Sequence, residues 1–423
     1  MFRSNFLASN LGQRIVHVAR RHRQIRFVVE GIEPQGKTAM SRKSKVSFQS
    51  RVLTELRLRR RLAYRDLLVL QLRMESSDRN PAHIHTIAKN VIDLLGRPLP
   101  EVSRRCGLLY RDDQQIHGLA VSCEHGVSAP SITVSARSLG EFREDLAIAE
   151  RAISDGMTDG EIQFRKQSEY ECELDDLLAN RDWYISHLGD TNYQAMLVLA
   201  QRESQHQLLG ASGITARDLY YFYRANDLRL TDRRNVLDEF SRTWEEIFID
   251  HPLRIRLEEL PVNPHSSDEY RNQVDAALRE FRSRYSRLLT PLRVPVAIEV
   301  AIKPPLPSRS QALHDLDNVL RRYLIPKVVE LFEPPSHFIW ALERDRITRT
   351  GANLGSTWSE RFRLLPKSTA IGLIRFEAWK IPRTNGDVSP GFVALAVTAD
   401  MTGHFDSIAR VDKAVDVWVD SLD

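Results

Sequence analysis

The 423-residue sequence predicts an α/β (α+β) chain built from two mixed repeats with a helical insertion between them. Three observations carry that expectation. Short apolar runs bounded by turn residues alternate with stretches whose apolar residues return every three or four positions. The same order of elements occurs twice, the mark of an internal repeat. Between the copies, residues 157–245 read as helical and partly acidic, with Glu169, Glu171, Glu173, Asp175 and Asp176 close together. The length suits two or three domains. Their expected bounds are a basic N-terminal arm at 1–24, a first repeat at 25–156, the insertion at 157–245 and a second repeat at 246–423.

The arm region carries Arg3, Arg14, Arg20, Arg21, Arg23 and Arg26 with no acid before Glu30, which reads as a phosphate-contacting arm, an organellar transit peptide or a poorly ordered extension with no role. The first copy opens with a strand-like stretch at Ile25–Gly31 and a turn containing Pro34 and Gly36. Val52, Leu53, Leu56 and Leu62 then fall near one helical face, and Leu67–Leu72 reads as a buried strand. A polar loop leads to His83–Leu95 and then to Leu109–Ile116, and a strand at Ser131–Ala136 and a helix through Phe142–Ile153 close the unit. In the second copy Leu253–Leu260 answers the first strand, Tyr270–Tyr285 the first helix and Val294–Ile302 the buried strand. His314–Arg321 stands where His83–Lys89 does, Trp340–Ile347 is matched to Leu109–Ile116, and Phe392–Val397 and Phe405–Val417 close the copy.

Charge is segregated. Residues 1–111 hold 23 Lys and Arg against 8 Asp and Glu, while residues 112–423 hold 37 against 48. Such a basic half repels itself unless an anion covers it, and nucleic acid offers the densest anionic charge. An acidic protein surface is the competing partner. No apolar run is long enough to span a membrane and no secretory leader is legible. Cys106, Cys123 and Cys172 form neither a CxxC pair nor a Cys/His cluster, so a reducing, cytoplasmic setting is expected.

The motif order then becomes specific. Strand, turn with Pro34, Gly36 and Lys37, helix, strand, Asp315-Leu316-Asp317-Asn318 before a helix with a basic residue four positions on, and Asp112-Asp113-x-x-Ile116 together resemble the RusA family of Holliday-junction resolvases. The resemblance covers each repeat through short motifs. It implies a Mg²⁺- or Mn²⁺-dependent endonuclease acting on branched DNA, with the duplicated chain standing as a dimer fused into one polypeptide, itself able to self-associate. It also implies catalytic roles for Asp315, Asp317, Arg321, Lys89, Asp112 and Asp113, and a metal set of Asp315 and Asp317 joined by Glu343 and Asp345. In the first copy His83 and His85 fall at the aspartate positions, where they could hold Mn²⁺ or Zn²⁺ with Asp112. That departure favours the alternative of a decayed, DNA-binding assembly subunit, with the insertion open to protein partners.

The residues themselves leave two readings open. Phosphodiester hydrolysis needs several oxygen ligands around a divalent ion. Equally, Asp315 before an apolar run is a helix N-cap, and Arg321 is spaced to pair with Asp317. Asp112-Asp113 could be a solvated turn. Lys37, Arg42, Lys43, Lys45, Arg57, Arg59, Arg60 and Arg61 are the candidate DNA contacts, against the simpler reading of a solvated helix face. Pro326 inside a helical pattern foretells a distortion next to the second copy's acids.

Overall fold

The computed structural model describes residues 9–78, 82–157, 167–224, 253–262, 267–306, 315–332, 373–381, 390–399 and 406–422. The first unit comprises β1 (Ile25–Glu30), α2 (Arg42–Leu58), β2 (Leu68–Ser76), α3 (Ile84–Gly96), β3 (Ile116–His125), β4 (Ser131–Ser138) and α4 (Leu139–Ser154), with helix α1 (Asn10–Arg23) ahead of it. The insertion supplies α5 (Gln167–Ala179), α6 (Arg181–Leu188), α7 (Asp190–Gly210) and α8 (Ala216–Arg224). The second unit comprises β5 (Arg254–Leu257), α9 (Ser267–Arg284), α10 (Ser286–Leu289), β6 (Val296–Lys303), α11 (Leu316–Val319), a π-helical turn at Leu320–Leu324, α12 (Ile325–Leu331), β7 (Leu373–Lys380), β8 (Phe392–Ala399) and α13 (Ser407–Asp420).

All eight strands join one mixed sheet in the order β1-β4-β2-β3-β7-β6-β8-β5. Read outward from the middle, each half has the same order. The register agrees as well: the β2/β3 ladder pairs Leu68 with Ile116 and then Val69 with Gly118, and the β6/β7 ladder pairs Val296 with Leu373 and then Ala297 with Arg375. The same one-residue skip at the same rung of two parallel ladders marks a shared backbone plan. The halves meet at β3 and β7, which run antiparallel with Ala120 opposite Glu377 at the centre of the seam. A pseudo-twofold axis therefore passes between those two residues and exchanges the units.

Strand periodicity divides the apolar side chains between two cores, one on each face. Leu68, Leu70, Leu72, Ile298, Val300 and Phe376 pack under α2, α3, α9 and α11–α12, whereas Val69, Ala120, Ala301 and Trp379 pack under α4, α8 and α13. Burial on both faces explains why β6 is a near-continuous apolar run, whereas β2 alternates beyond Leu70 with the half-buried Gln71, Arg73 and Glu75. Glu299 and Glu377 are the exceptions at 0% exposure, and each is met by the Arg375 guanidinium, with Arg410 also on Glu299.

The N-terminal stretch differs from the expected arm. From Asn10 it is a helix, capped by the Ser9 hydroxyl, that lies across α4 and α13. Arg20 pairs with Glu144 and Asp145, Arg21 with Asp412 and Asp416, and Arg23 with Glu141. These arginines are consumed by the fold, binding the closing helices of both units, while Leu11, Ile15 and Val18 face outward. The inserted α7 packs on β8 and α8 on α4 and α13.

β3 and β7, the seam strands, are not evident from the sequence. The segment matched to Leu109–Ile116, Trp340–Ile347, lies outside the described residues, as do Glu343 and Asp345. The strand that answers β3 is β7, which begins only at Leu373.

Candidate metal centre

The centre lies at the seam. Asp112 and Asp113 form the turn that enters β3, and Asp315 and Asp317 open α11, which contacts both β3 and β7. One carboxylate oxygen each of Asp113, Asp315 and Asp317 lies within 4.8 Å of the other two. The sequence divided these acids between two sites, but the fold draws them into one. Among the described residues no other group of three His, Cys, Asp or Glu side chains comes this close.

The simpler readings separate cleanly. Asp112 is a cap: its carboxylate accepts from the Gln114 amide, and the Gln115 side chain accepts from the Asp112 amide in return. Asp315 occupies the N-cap position of α11 but makes no side-chain capping bond, and its Oδ1 is buried without a hydrogen-bond donor. Asp317 does not pair with Arg321. Its Oδ2 lies 2.7 Å from the Lys89 ammonium of the first unit, in a contact without hydrogen-bond alignment. Lys89 also reaches Asp93 at 3.1 Å and Asp113 at 3.4 Å.

Electrostatics follow from burial and crowding. Asp315 is 4% and Asp317 9% exposed. Burial, then repulsion from Asp113, pushes Asp315 up to about 7, opposed by Lys380 and reinforced by Asp317 and Asp112. Burial likewise raises Asp113, although Lys89 counters it. Burial works against the charge of Lys89, but Asp317 and Asp93 outweigh it and hold the ammonium above the ordinary lysine range. Lys380, at the end of β7, is lowered by burial in spite of Asp315.

A divalent ion fits this donor set. Three carboxyl groups crowd one ammonium in a partly desolvated pocket, where burial and mutual repulsion raise Asp113 and Asp315 toward their protonated forms, a strain that a bound cation would relieve, and Asp315 Oδ1 is buried with no hydrogen-bond donor. All-oxygen ligation of that kind suits a hard cation.

An open groove of about 1070 Å³ shares Asp113 with the acid cluster. Lys37, Arg42, Lys45, Arg97, Arg104, Arg105 and Arg111 line it together with Asp112 and Asp113. Three of the expected DNA contacts are thus in the groove, and Lys43 is exposed on the same first turn of α2. Arg57, Arg59, Arg60 and Arg61 are not: they sit at the other end of that 17-residue helix, about 25 Å away at 1.5 Å per residue. There Arg59 donates to Glu55 and the Arg26 carbonyl, and Arg61 to the His22 carbonyl. The loop arginines 97, 104, 105 and 111 escape sequence reasoning because they follow no period. Their only signal is a scatter of arginines around Pro98 and Pro100 and before the Asp-Asp turn.

Across the pseudo-dyad, His83 holds the N-cap position of α3, as Asp315 does in α11. The His83 and His85 rings stack at 5.6 Å, and Arg321 is exposed in the π-turn that follows α11. Arg321 and Lys89 therefore occupy corresponding places, yet only Lys89 stands among the carboxylates. In comparisons with family profiles, curated proteins and solved structures, nothing matches this chain.

Proposed function

We propose that the chain is a RusA-like endonuclease that uses Mg²⁺ or Mn²⁺ to cleave branched DNA such as Holliday junctions, in recombination or repair. The observation that carries the reading is the cluster of Asp113, Asp315 and Asp317 beside Lys89, whose member Asp113 also lines a basic groove. Asp113 of one unit and Asp315 and Asp317 of the other would hold the ion. When bound, it would polarise the phosphodiester and lower the pKa of a water. Lys89 supplies a fixed cation where negative charge grows on the phosphate. The groove orients the strand, its arginines contacting phosphates in a sequence-independent way. Free thiols at exposed Cys106 and buried Cys123 suit a reducing, cytoplasmic compartment.

A cleavage assay on four-way, flap and linear DNA with Mg²⁺ and Mn²⁺ tests this. Metal-dependent nicking of branched DNA is the expected result. Binding without cleavage under both metals would replace the enzyme with a DNA-binding assembly subunit, the reading that His83 and His85 favour.

A further inference from the structure

We infer that the pseudo-dyad mate of the metal centre is a phosphate-binding subsite that holds a second strand of the branched substrate while the metal centre acts on the first. The inference rests on the function proposed above and deepens it.

Corresponding positions in the two units differ in a consistent direction. Aligning the first residues of α3 and α11 places His83 with Asp315, His85 with Asp317 and Lys89 with Arg321. Asp93 then falls against Ile325 or Pro326, according to how the π-turn is counted. Asp315, Asp317 and Asp93 are thus answered by neutral or basic residues, while the cation itself is kept as arginine. The change inverts the charge preference of the place from cation to anion.

The side chains are arranged accordingly. Arg321 is exposed, has no ion pair among the described residues, and is presented by a π-turn, a local widening often found at functional sites. A guanidinium free of carboxylates can grip a phosphate with two parallel N–H bonds, which an ammonium cannot. His85 has a buried Nδ1 without a partner, and the stacked pair adds N–H donors beside Arg321. Burial, His83 and Arg321 together lower His85 to about 4, so Arg321 carries the charge and the imidazole serves as a neutral donor. The same guanidinium repels any divalent ion that the two histidines would otherwise attract. The geometry suits a branched substrate: two like strands approach related places on either side of the dyad, one meeting carboxylates and the other arginine.

The test uses the full chain, a fluorescent four-way junction, and single-stranded and linear duplex controls, with Ca²⁺ replacing Mg²⁺ and Mn²⁺. The double variant Arg321→Glu/His83→Ala should bind the junction at least about tenfold more weakly, with less than about twofold weakening on the controls. Its salt slope on the junction should fall by about 0.9 for each phosphate no longer neutralised. Arg321→Lys should keep only part of the affinity, since an ammonium retains the charge but not the paired N–H bonds, and an unchanged Tm should show that folding is intact, as expected for exposed residues. Wild-type junction affinity and slope in the double variant would overturn the inference alone, as would equal weakening on all three DNAs. Failure of the wild-type chain to bind any junction would overturn the function on which it rests as well.

Discussion

Asp315 shows how a residue that looks like a helix cap can be something else. Its position is that of a cap, but its carboxylate is directed at Asp113 and Asp317 rather than at backbone amides, and only long-range packing across the seam could reveal this. The sequence named all four central residues, Lys89, Asp113, Asp315 and Asp317, but not their meeting, because Asp113 is some two hundred residues from its partners. Substituting Asp113, Asp315 or Asp317 with Asn is expected to cut metal-dependent cleavage by more than about a hundredfold, exceeding the effect of removing an outer-shell partner. DNA binding in Ca²⁺ should persist. Asp112→Asn, at a solvated cap, should retain most activity in the same assay. A second residue-scale expectation concerns His117 on β3, which is 6% exposed and is lowered to about 4 by burial and by Lys380. Its folded pKa lies below the unfolded value near 6.5, so the unfolded chain takes the proton first. This contribution is intact above about pH 6.5 and lost as pH falls toward 4, by about 3 kcal/mol. Denaturant titrations of His117→Gln should show a flatter acid limb than wild type; identical limbs would contradict the assignment.

At the scale of elements, the basic end of α2 is explained by helix termination. Arg60 has φ of 52°, the Arg61 amide donates to the Leu56 carbonyl and the Arg60 amide to that of Arg57. This is a Schellman ending with arginine where glycine is favoured. Arg60→Gly should therefore stabilise the protein by about 1 kcal/mol, read as a raised denaturation midpoint. The charge run was legible as a helix face, but its role as a terminus was not, since no glycine marks the stop. The groove loop behaves in the opposite way. Charge reversal at Arg97, Arg104 and Arg105 should flatten the salt dependence of DNA binding, whereas reversal at Arg57 and Arg61 should change it little. Equal effects would mean that DNA tracks the whole of α2. The insertion and the outer strands were readable from period and composition. The seam strands were not: β3 is Gly- and His-containing and buried nearly throughout, so it offers no alternation to detect. Pro326 did foretell a distortion, realised as the π-turn before α12.

For the whole molecule, duplication without symmetry is the organising fact. The repeat was visible in the sequence because strand and helix order survived divergence, while the joining of both copies into one sheet depended on β3 meeting β7, which no local pattern encodes. Neither unit by itself contains Asp113, Asp315 and Asp317 together. The candidate metal centre therefore exists only in the assembled chain, and under the proposed function a single chain should nick one strand of a junction rather than make paired cuts. Mn²⁺ binding measured by titration on wild type, Asp113→Asn and Asp315→Asn tests this most directly. One tight site per wild-type chain, abolished in both variants alike although they lie in different units, is the expected result. Two sites per chain, or a site that survives Asp113→Asn at full affinity, would contradict it.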